Sequence, residues 1–559
     1  MKENNFQNSI PFSEYPRPQM KRDSFFNLNG TWKLNGKDIL VPFPPESQAS
    51  IFNGKINSYL EYTKEFVLPD DFSNQLFQNN SKNHLLLHFG AVDQIATIFV
   101  NDVFVGTHHG GYLPFYFDIT DYLTENSAKQ TIKVIAKDTL NHLFPYGKQK
   151  KNRGGMWYTP ISGIWQTVWC ESVPVDYIKG IKVTPSLNSV HIDVDAGEGE
   201  KILALGDKEY RFEENAIDIE IENPIHWTPD DPYLYEFSLV YGKDRVESYF
   251  ALRTVSIEIA RGRSYIHLNG KPILCHGLLD QGYYSDGIYL PATPKGYELD
   301  ILTMKKLGFN MLRKHIKIEP QLFYYYCDKY GMLVFQDMVN SGKYSFLIDT
   351  ALPTIGLKKG ITHKVTKARR EAFENDSRAT IDLLYNHPSV IYYTIFNEGW
   401  GQFDADENYL ALKEYDSTRV YDATSGWFWE KHSDVHSEHI YFKKLKLKAR
   451  IGRPLVLSEF GGYSCKLDDH SFNLDNTYGY SKNNTMEEFE CKFIALYDEQ
   501  VIPYIKGEGL CALVYTQVSD VEDETNGLFT YDRQVLKVNE ENIKVMSERL
   551  YRAFDEITK

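Results

Sequence analysis

The chain has 559 residues, of which 42% are hydrophobic, 25% charged and 14% aromatic, with a formal net charge of −15. These are the proportions of an ordinary globular protein with core enough for roughly two to four domains, and they exclude disordered and fibrous classes. The acidic balance disfavours nucleic acid, whose phosphates require a basic stripe, and no run approaches the ~18–20 apolar residues that span a bilayer.

The N-terminal stretch MKENNFQNSIPFSEYPRPQMKRDSF is polar and Pro-punctuated, with no apolar core of a signal peptide. It predicts a cytoplasmic protein without a secretory leader. Cys170, Cys275, Cys327, Cys465, Cys491 and Cys511 form no CxxC pair, and Cys170 (TVWCE) and Cys511 (LCALVY) sit in apolar runs. Buried free thiols in a reducing compartment explain them better than disulfides or zinc.

From about residue 25 to 176, short alternating runs are broken by Gly, Asn, Asp and Pro. LLLHFGAV, ATIFVNDVFVG, FYFDIT and TIKVIAKD read as sandwich strands, and Asn101-Asp102 between two apolar runs signals a tight hairpin. Residues 177–255 repeat the texture in IKVTP, VHIDVDA, KILALG and YEFSLVY, a length that suits one seven-strand, immunoglobulin-like sandwich. Residues 256–559 alternate helical stretches, such as ELDILTMKKLG, with eight buried apolar runs: ILCHGLL, FNMLRKH, MLVFQDM, VIYYTIFN, RVYDATS, VHSEHIY, PLVLSEF and ALVYTQV. Eight such units in about 300 residues predict a (β/α)8 barrel.

The chemistry is concentrated where two of these runs stop. VIYYTIF ends in Asn397-Glu398-Gly399-Trp400, and PLVLS ends in Glu459-Phe460-Gly461-Gly462. A lone acid closing a buried strand stands at the face where barrels keep their active sites. Two acids on one face suit glycosidic bond cleavage, in which one protonates the leaving oxygen and the other attacks the anomeric carbon or activates water. His276, Asp280, Arg313, His315, Asp337, Asp434, His436, Tyr441 and Gln517 close other strands and are expected to line the pocket, although each also suits a structural place on the rim. Arg313 beside Glu459 would keep that carboxylate ionised. His432, His436 and His439 have metal-ligand spacing without an HExxH motif, and no metal is predicted. The run Asp520 to Glu524 is expected to be a solvated loop. No phosphate-binding or nucleophile-elbow motif occurs.

In this combination and order, the sequence resembles glycoside hydrolase family 2, which contains β-galactosidases, β-glucuronidases and β-mannosidases. FNLNGTWKL, YTKEFVLP and SGIWQTVWCE resemble its N-terminal sugar-binding jelly roll; NPIHWTPDDPYLYEFSL and FALRTV resemble its middle sandwich and the junction with its barrel. NHPSVIYYTIFNEGW and PLVLSEFGG resemble its acid/base and nucleophile segments. The resemblance implies a jelly-roll domain over 1–176, an immunoglobulin-like domain over 177–255 and a catalytic TIM barrel over 256–559. It implies Glu398 as acid/base, Glu459 as nucleophile, and Asn397 against the sugar 2-hydroxyl, with Trp400 also expected against substrate.

The expected activity is that of a retaining exo-β-glycosidase on terminal sugars, β-galactosides first, with another glycosidase of the family or an inactive carbohydrate-binding protein as alternatives. Where glucuronidases of the family carry Asn-x-Lys, this chain has Asn526-Gly527-Leu528, so β-galactosides are expected to outrun β-glucuronides. The first strand end, HGLLDQG, also departs from the family's more usual Asn-Arg-His-Glu. No cofactor is required, although a divalent metal or sodium is compatible. The expected partner is a carbohydrate, without nucleic acid or membrane, and a homo-oligomer is compatible with the sequence.

Overall fold

The computed structural model describes residues 10–77, 83–124, 129–359, 362–441 and 443–559, so the first nine residues of the polar N-terminal stretch lie outside the described residues. In the N-terminal region, a sheet ordered Phe25–Asn27, Val168–Val173, His84–Phe89, Phe115–Asp118 shares a core with a six-stranded sheet that includes Gly30–Leu34, Tyr59–Phe66, Gln130–Lys137 and Ile95–Val100. Strand alternation builds that core. Ile132, Val134 and Ala136 are buried on one face of Gln130–Lys137 and join Trp32, Leu60 and Ile98. The expected hairpin is present: Ile95–Val100 pairs with Val103–His109, and Asn101 (φ 48°) and Asp102 (φ 62°) take the left-handed conformation that a two-residue turn demands.

Between Gly180 and Phe250 the chain makes seven strands, three in one sheet and four in the other. Ile181, Val190, Leu203, Leu239 and Val246 lie in its separate core.

The C-terminal region is an eight-stranded parallel barrel. Its strands are β1 (Cys275–Asp280), β2 (Met311–Lys314), β3 (Leu333–Asp337), β4 (Val390–Thr394), β5 (Val420–Asp422), β6 (His436–Ile440), β7 (Leu455–Gly461) and β8 (Leu510–Thr516), and each overlaps one of the eight apolar runs. Spatial order is β5-β4-β3-β2-β1-β8-β7-β6, leaving one unpaired seam between β5 and β6. β4, β7 and β8 are buried at every position, as strands covered on both faces must be.

The N-terminal sandwich reaches the barrel mouth through the segment after Asp138. Tyr146 donates to Gly342 O at 2.9 Å, Tyr158 to Glu524 Oε2 at 2.7 Å, and the Thr159 amide to Glu522 Oε1 at 2.9 Å. These contacts correct the expectation of a solvated acidic loop. Asp520, Glu522, Asp523 and Glu524 are buried, because Lys537 pairs with Asp520 at 2.6 Å and Arg153 lies 3.4 Å from Glu522 and 3.5 Å from Asp523. A buried carboxylate needs such partners. All six cysteines are free, five of them buried and Cys491 exposed. Among the described residues, no helix is long and apolar enough to cross a membrane.

Candidate active site

Beyond β4 the backbone tightens into a single turn, Asn397–Gly399, in which Glu398 has φ 51° and ψ 21°. A non-glycine residue pays for that conformation, and such strain collects at functional sites. Gly399 follows at φ 64°, and a Cβ there would meet the Phe428 ring at 2.2 Å. The turn places Glu398 across the pocket from Glu459, which lies near the C-terminal end of β7. One oxygen of each carboxylate and one nitrogen of His439 lie within 4.8 Å of one another.

Arg313 organises the floor. Its Nε donates to Asp337 Oδ1 at 2.9 Å, Nη1 to Glu459 Oε1 at 3.1 Å and to Ser458 O at 2.8 Å, and Nη2 to Asn397 Oδ1 at 2.8 Å. Guanidinium has only donors, so the Asn397 carbonyl faces Arg313 and its NH2 is left for the pocket. His315 Nδ1 lies 2.9 Å from Asp337 Oδ2. Arg313 and His315 thus act together despite the intervening lysine. Alternation sends Lys314 to the opposite face, where it pairs with Asp280 at 2.7 Å and Glu319 at 2.8 Å. Tyr441 donates to Glu459 Oε2. Both oxygens of Glu459 therefore hold donors, which suits a carboxylate more than a metal ligand.

Burial raises the pKa of Glu398 above its ordinary value, with Lys148, His315 and Arg313 opposing it. That favours the protonated acid. Burial would also raise Asp337, but Arg313 and His315 outweigh it and hold its carboxyl at about 2. Burial lowers His439 to about 3, leaving a neutral imidazole.

Lys148, Met156, Trp157, Tyr344, Asp349 and Trp400 wall the pocket around Asn397 and Glu398. Trp157 meets Trp400 edge-on at 4.8 Å, so an N-terminal residue and a barrel residue share one aromatic wall. Gln517 stands beside the pocket, its amide donating to Glu524 at 2.9 Å and Asn526 at 2.7 Å.

Four expected pocket residues have other places. His276, the second residue of β1, stands at the far end of the barrel and packs on Phe309, Tyr497 and Tyr551. His436 opens β6 and lies 3.6 Å from Glu438, outside the carboxylate cluster. Asp280 and Asp434 serve structure, the first bound to Lys314 and the second to Lys413 and Tyr409. His432 pairs with Asp406 at 3.4 Å, so the three histidines do not converge.

Sequence reasoning missed His439, which lies 3.1 Å from Glu398 and 3.7 Å from Glu459. Its signal was the alternation that puts it on the face of Tyr441. It also missed Lys148 and Trp157, whose place depends on docking between distant segments.

The sugar binding domain of glycosyl hydrolases family 2 matches residues 28–173, the family's central domain 187–253, and its TIM barrel domain 258–538. A β-galactosidase of Thermoanaerobacter pseudethanolicus is 29% identical over 282 residues, covering 45% of this chain and 36% of that protein. A β-glucuronidase of Bacteroides fragilis is 26% identical over 358 residues, covering 56% and 47%. The chain thus spans less than half the length of these curated relatives. Among solved structures, a β-D-glucuronidase of Dictyoglomus thermophilum superposes with TM-score 0.74 at 18% identity, over 96% of this chain and 98% of that one. A β-galacturonidase of Eisenbergiella tayi bound to galacturonate gives 0.69 at 18% identity, over 97% and 99%. With three successive domains matched and the barrel match alone covering half of the chain, this protein belongs to glycosyl hydrolase family 2.

Proposed function

We propose that the chain is a retaining exo-β-glycosidase. The observation that carries this reading is that one carboxylate oxygen of Glu398 and one of Glu459 lie within 4.8 Å of each other, too close to suit an intervening catalytic water. Retention uses carboxyl groups ~5–5.5 Å apart, whereas inversion needs ~6.5–9.5 Å for an intervening water. Glu459 attacks the anomeric carbon while protonated Glu398 gives its proton to the departing glycosidic oxygen. Glu398, now ionised, takes a proton from the water that cleaves the glycosyl–Glu459 ester, restoring both groups. The Asn397 NH2 faces the place where it would meet a sugar hydroxyl, and the wall of Trp157, Tyr344 and Trp400 suits one terminal ring. Proton NMR of the first-formed sugar tests this: a β-anomer supports retention, an α-anomer refutes it.

The sugar itself has two readings. Leu528, fully buried, stands where a uronate-binding lysine is expected and favours a β-galactoside. Lys148 favours a β-uronide. It lines the pocket with Glu398, and its ammonium makes no ion pair or hydrogen bond among the described residues. A sugar carboxylate would give it a partner. A panel of nitrophenyl β-galactoside, β-glucuronide and β-galacturonide separates them, and loss of uronide turnover alone in Lys148→Met supports the second reading.

A further inference from the structure

A second cavity, of about 770 Å³, opens beside the catalytic cluster, between segment 350–358 and the chain after β6. His439 and Tyr441, which contact Glu398 and Glu459, belong to its lining, and so do Lys358, Lys443, Lys444 and Lys446. Four lysines around one cavity reverse, locally, the sign of a chain whose net charge is −15. Their placement follows from the pattern Lys444-Leu445-Lys446-Leu447. Both leucines are buried, which pins the backbone and turns the lysines outward. Lys358 is held, with Nζ 3.1 Å from Glu438 and 5.0 Å from the Trp429 ring centroid. The ammonium groups of Lys443, Lys444 and Lys446 make no ion pair or hydrogen bond among the described residues, and Glu438 is the one acid in the lining.

We propose that this cavity is a leaving-group subsite that takes an anionic sugar residue, one bearing a carboxylate or a sulfate ester. The proposal rests on the glycosidase reading, which makes the region beyond Tyr441 and His439 an exit for the glycan remaining after cleavage. A flexible ammonium is a point charge that serves planar carboxylate and tetrahedral sulfate alike. Trp427 and Tyr441 add flat apolar surface for the sugar ring. One exposed pair contributes little, but several cations around a concave wall act together and weaken with salt.

The test uses the full chain and three oligosaccharides identical at the cleaved terminal sugar, whose neighbouring residue is neutral, a uronic acid or a sulfated sugar. At low ionic strength, kcat/KM for an anionic member should exceed that for the neutral one by roughly tenfold. That ratio should fall towards one in ~0.5 M salt and in the triple variant Lys443→Gln, Lys444→Gln, Lys446→Gln. Comparing the uronate and sulfate arms identifies the anion. An equal kcat/KM for all three substrates, or a ratio that neither salt nor the triple variant moves, overturns the subsite. Calorimetric titration with thio-linked versions of the same probes distinguishes the two layers. Salt-sensitive binding of the anionic probe without hydrolysis of any substrate keeps an anion-binding cavity but sinks the glycosidase reading and with it the leaving-group role. Hydrolysis of a nitrophenyl glycoside with no preference for anionic probes does the reverse. If the triple variant fails to fold, the salt series on the unaltered chain still decides.

Discussion

Arg313 Nη1 lies 3.3 Å from His439 Nε2, a contact that favours the tautomer with its proton on Nδ1. Guanidinium can only donate, so Nε2 accepts and the proton of the neutral ring sits on Nδ1. Nδ1 in turn lies 3.1 Å from Glu398 Oε1. One oxygen of Glu398 is thereby occupied, and the other is free to carry a proton towards a leaving group. His439→Phe should lower kcat on a nitrophenyl glycoside by roughly 10²-fold, the loss expected for one well-placed donor, with circular dichroism unchanged. A variant with undiminished kcat would remove His439 from the reacting cluster.

In the proposed mechanism Glu398 has two jobs, and substrates can separate them. Glu398→Ala should cost ~10²–10⁴-fold on glycosides with poor leaving groups, which need the proton, and far less on dinitrophenyl glycosides, which do not. Azide attacks the intermediate without a base, so it should restore turnover and give a β-glycosyl azide. Equal loss on both substrate types with no azide effect would mean that another group is the acid. Asp337 and Asp434 are poor substitutes, because Arg313 and His315 hold the first and Lys413 and Tyr409 the second.

The pH profile should report the raised pKa of Glu398. If Glu398 is the acid, glycosylation needs its proton, so kcat/KM should fall as pH rises through that pKa, with the alkaline limb above the ordinary value of a glutamate. Lys148 opposes the upward shift. Removing this cation as Lys148→Met should move the limb further to alkaline pH, since one less positive charge favours the protonated acid. A shift towards acid, or none, would show that Lys148 does not act on Glu398.

Asp337 bridges Arg313 and His315, and all three side chains are buried. Asp337→Ala leaves a buried guanidinium short of one partner and should cost about 3 kcal/mol in denaturant unfolding, within the usual range for breaking a buried pair. A loss below ~1 kcal/mol, the scale of a surface pair, would mean that Glu459 and Asn397 suffice to hold Arg313.

Much of the fold was legible because burial leaves a local trace. The eight barrel strands follow eight largely apolar runs, and four of the seven strands of the middle sandwich lie in the short alternating segments read there, whereas Lys208–Phe212, Ala216–Glu220 and Asp244–Phe250 left no such trace. Glu398 and Glu459 stood out because each is a charge ending such a run. His439 was less legible because the histidines at 432, 436 and 439 read as one cluster, whereas strand alternation puts His436 and His439 on opposite faces of β6. His276 was misplaced because β1 begins at Cys275, which puts the second residue of the strand far from the mouth. The acidic run at 520–524 looked solvated because its partners Arg153 and Tyr158 lie more than 360 residues away in sequence. Lys148 was silent for the same reason. Charge is visible in a short window, but what neutralises it is not.

The covalent step offers the most direct measurement. A 2-fluoro-2-deoxy-β-glycosyl fluoride of the preferred sugar slows hydrolysis of the intermediate, and peptide mass spectrometry then locates the attached sugar. If Glu459 is the nucleophile, the label falls on the peptide containing Ser458-Glu459-Phe460 and is absent from Glu459→Gln. A label on any other carboxylate, or prompt turnover without labelling and with inverted product, would contradict the double displacement built on Glu398 and Glu459.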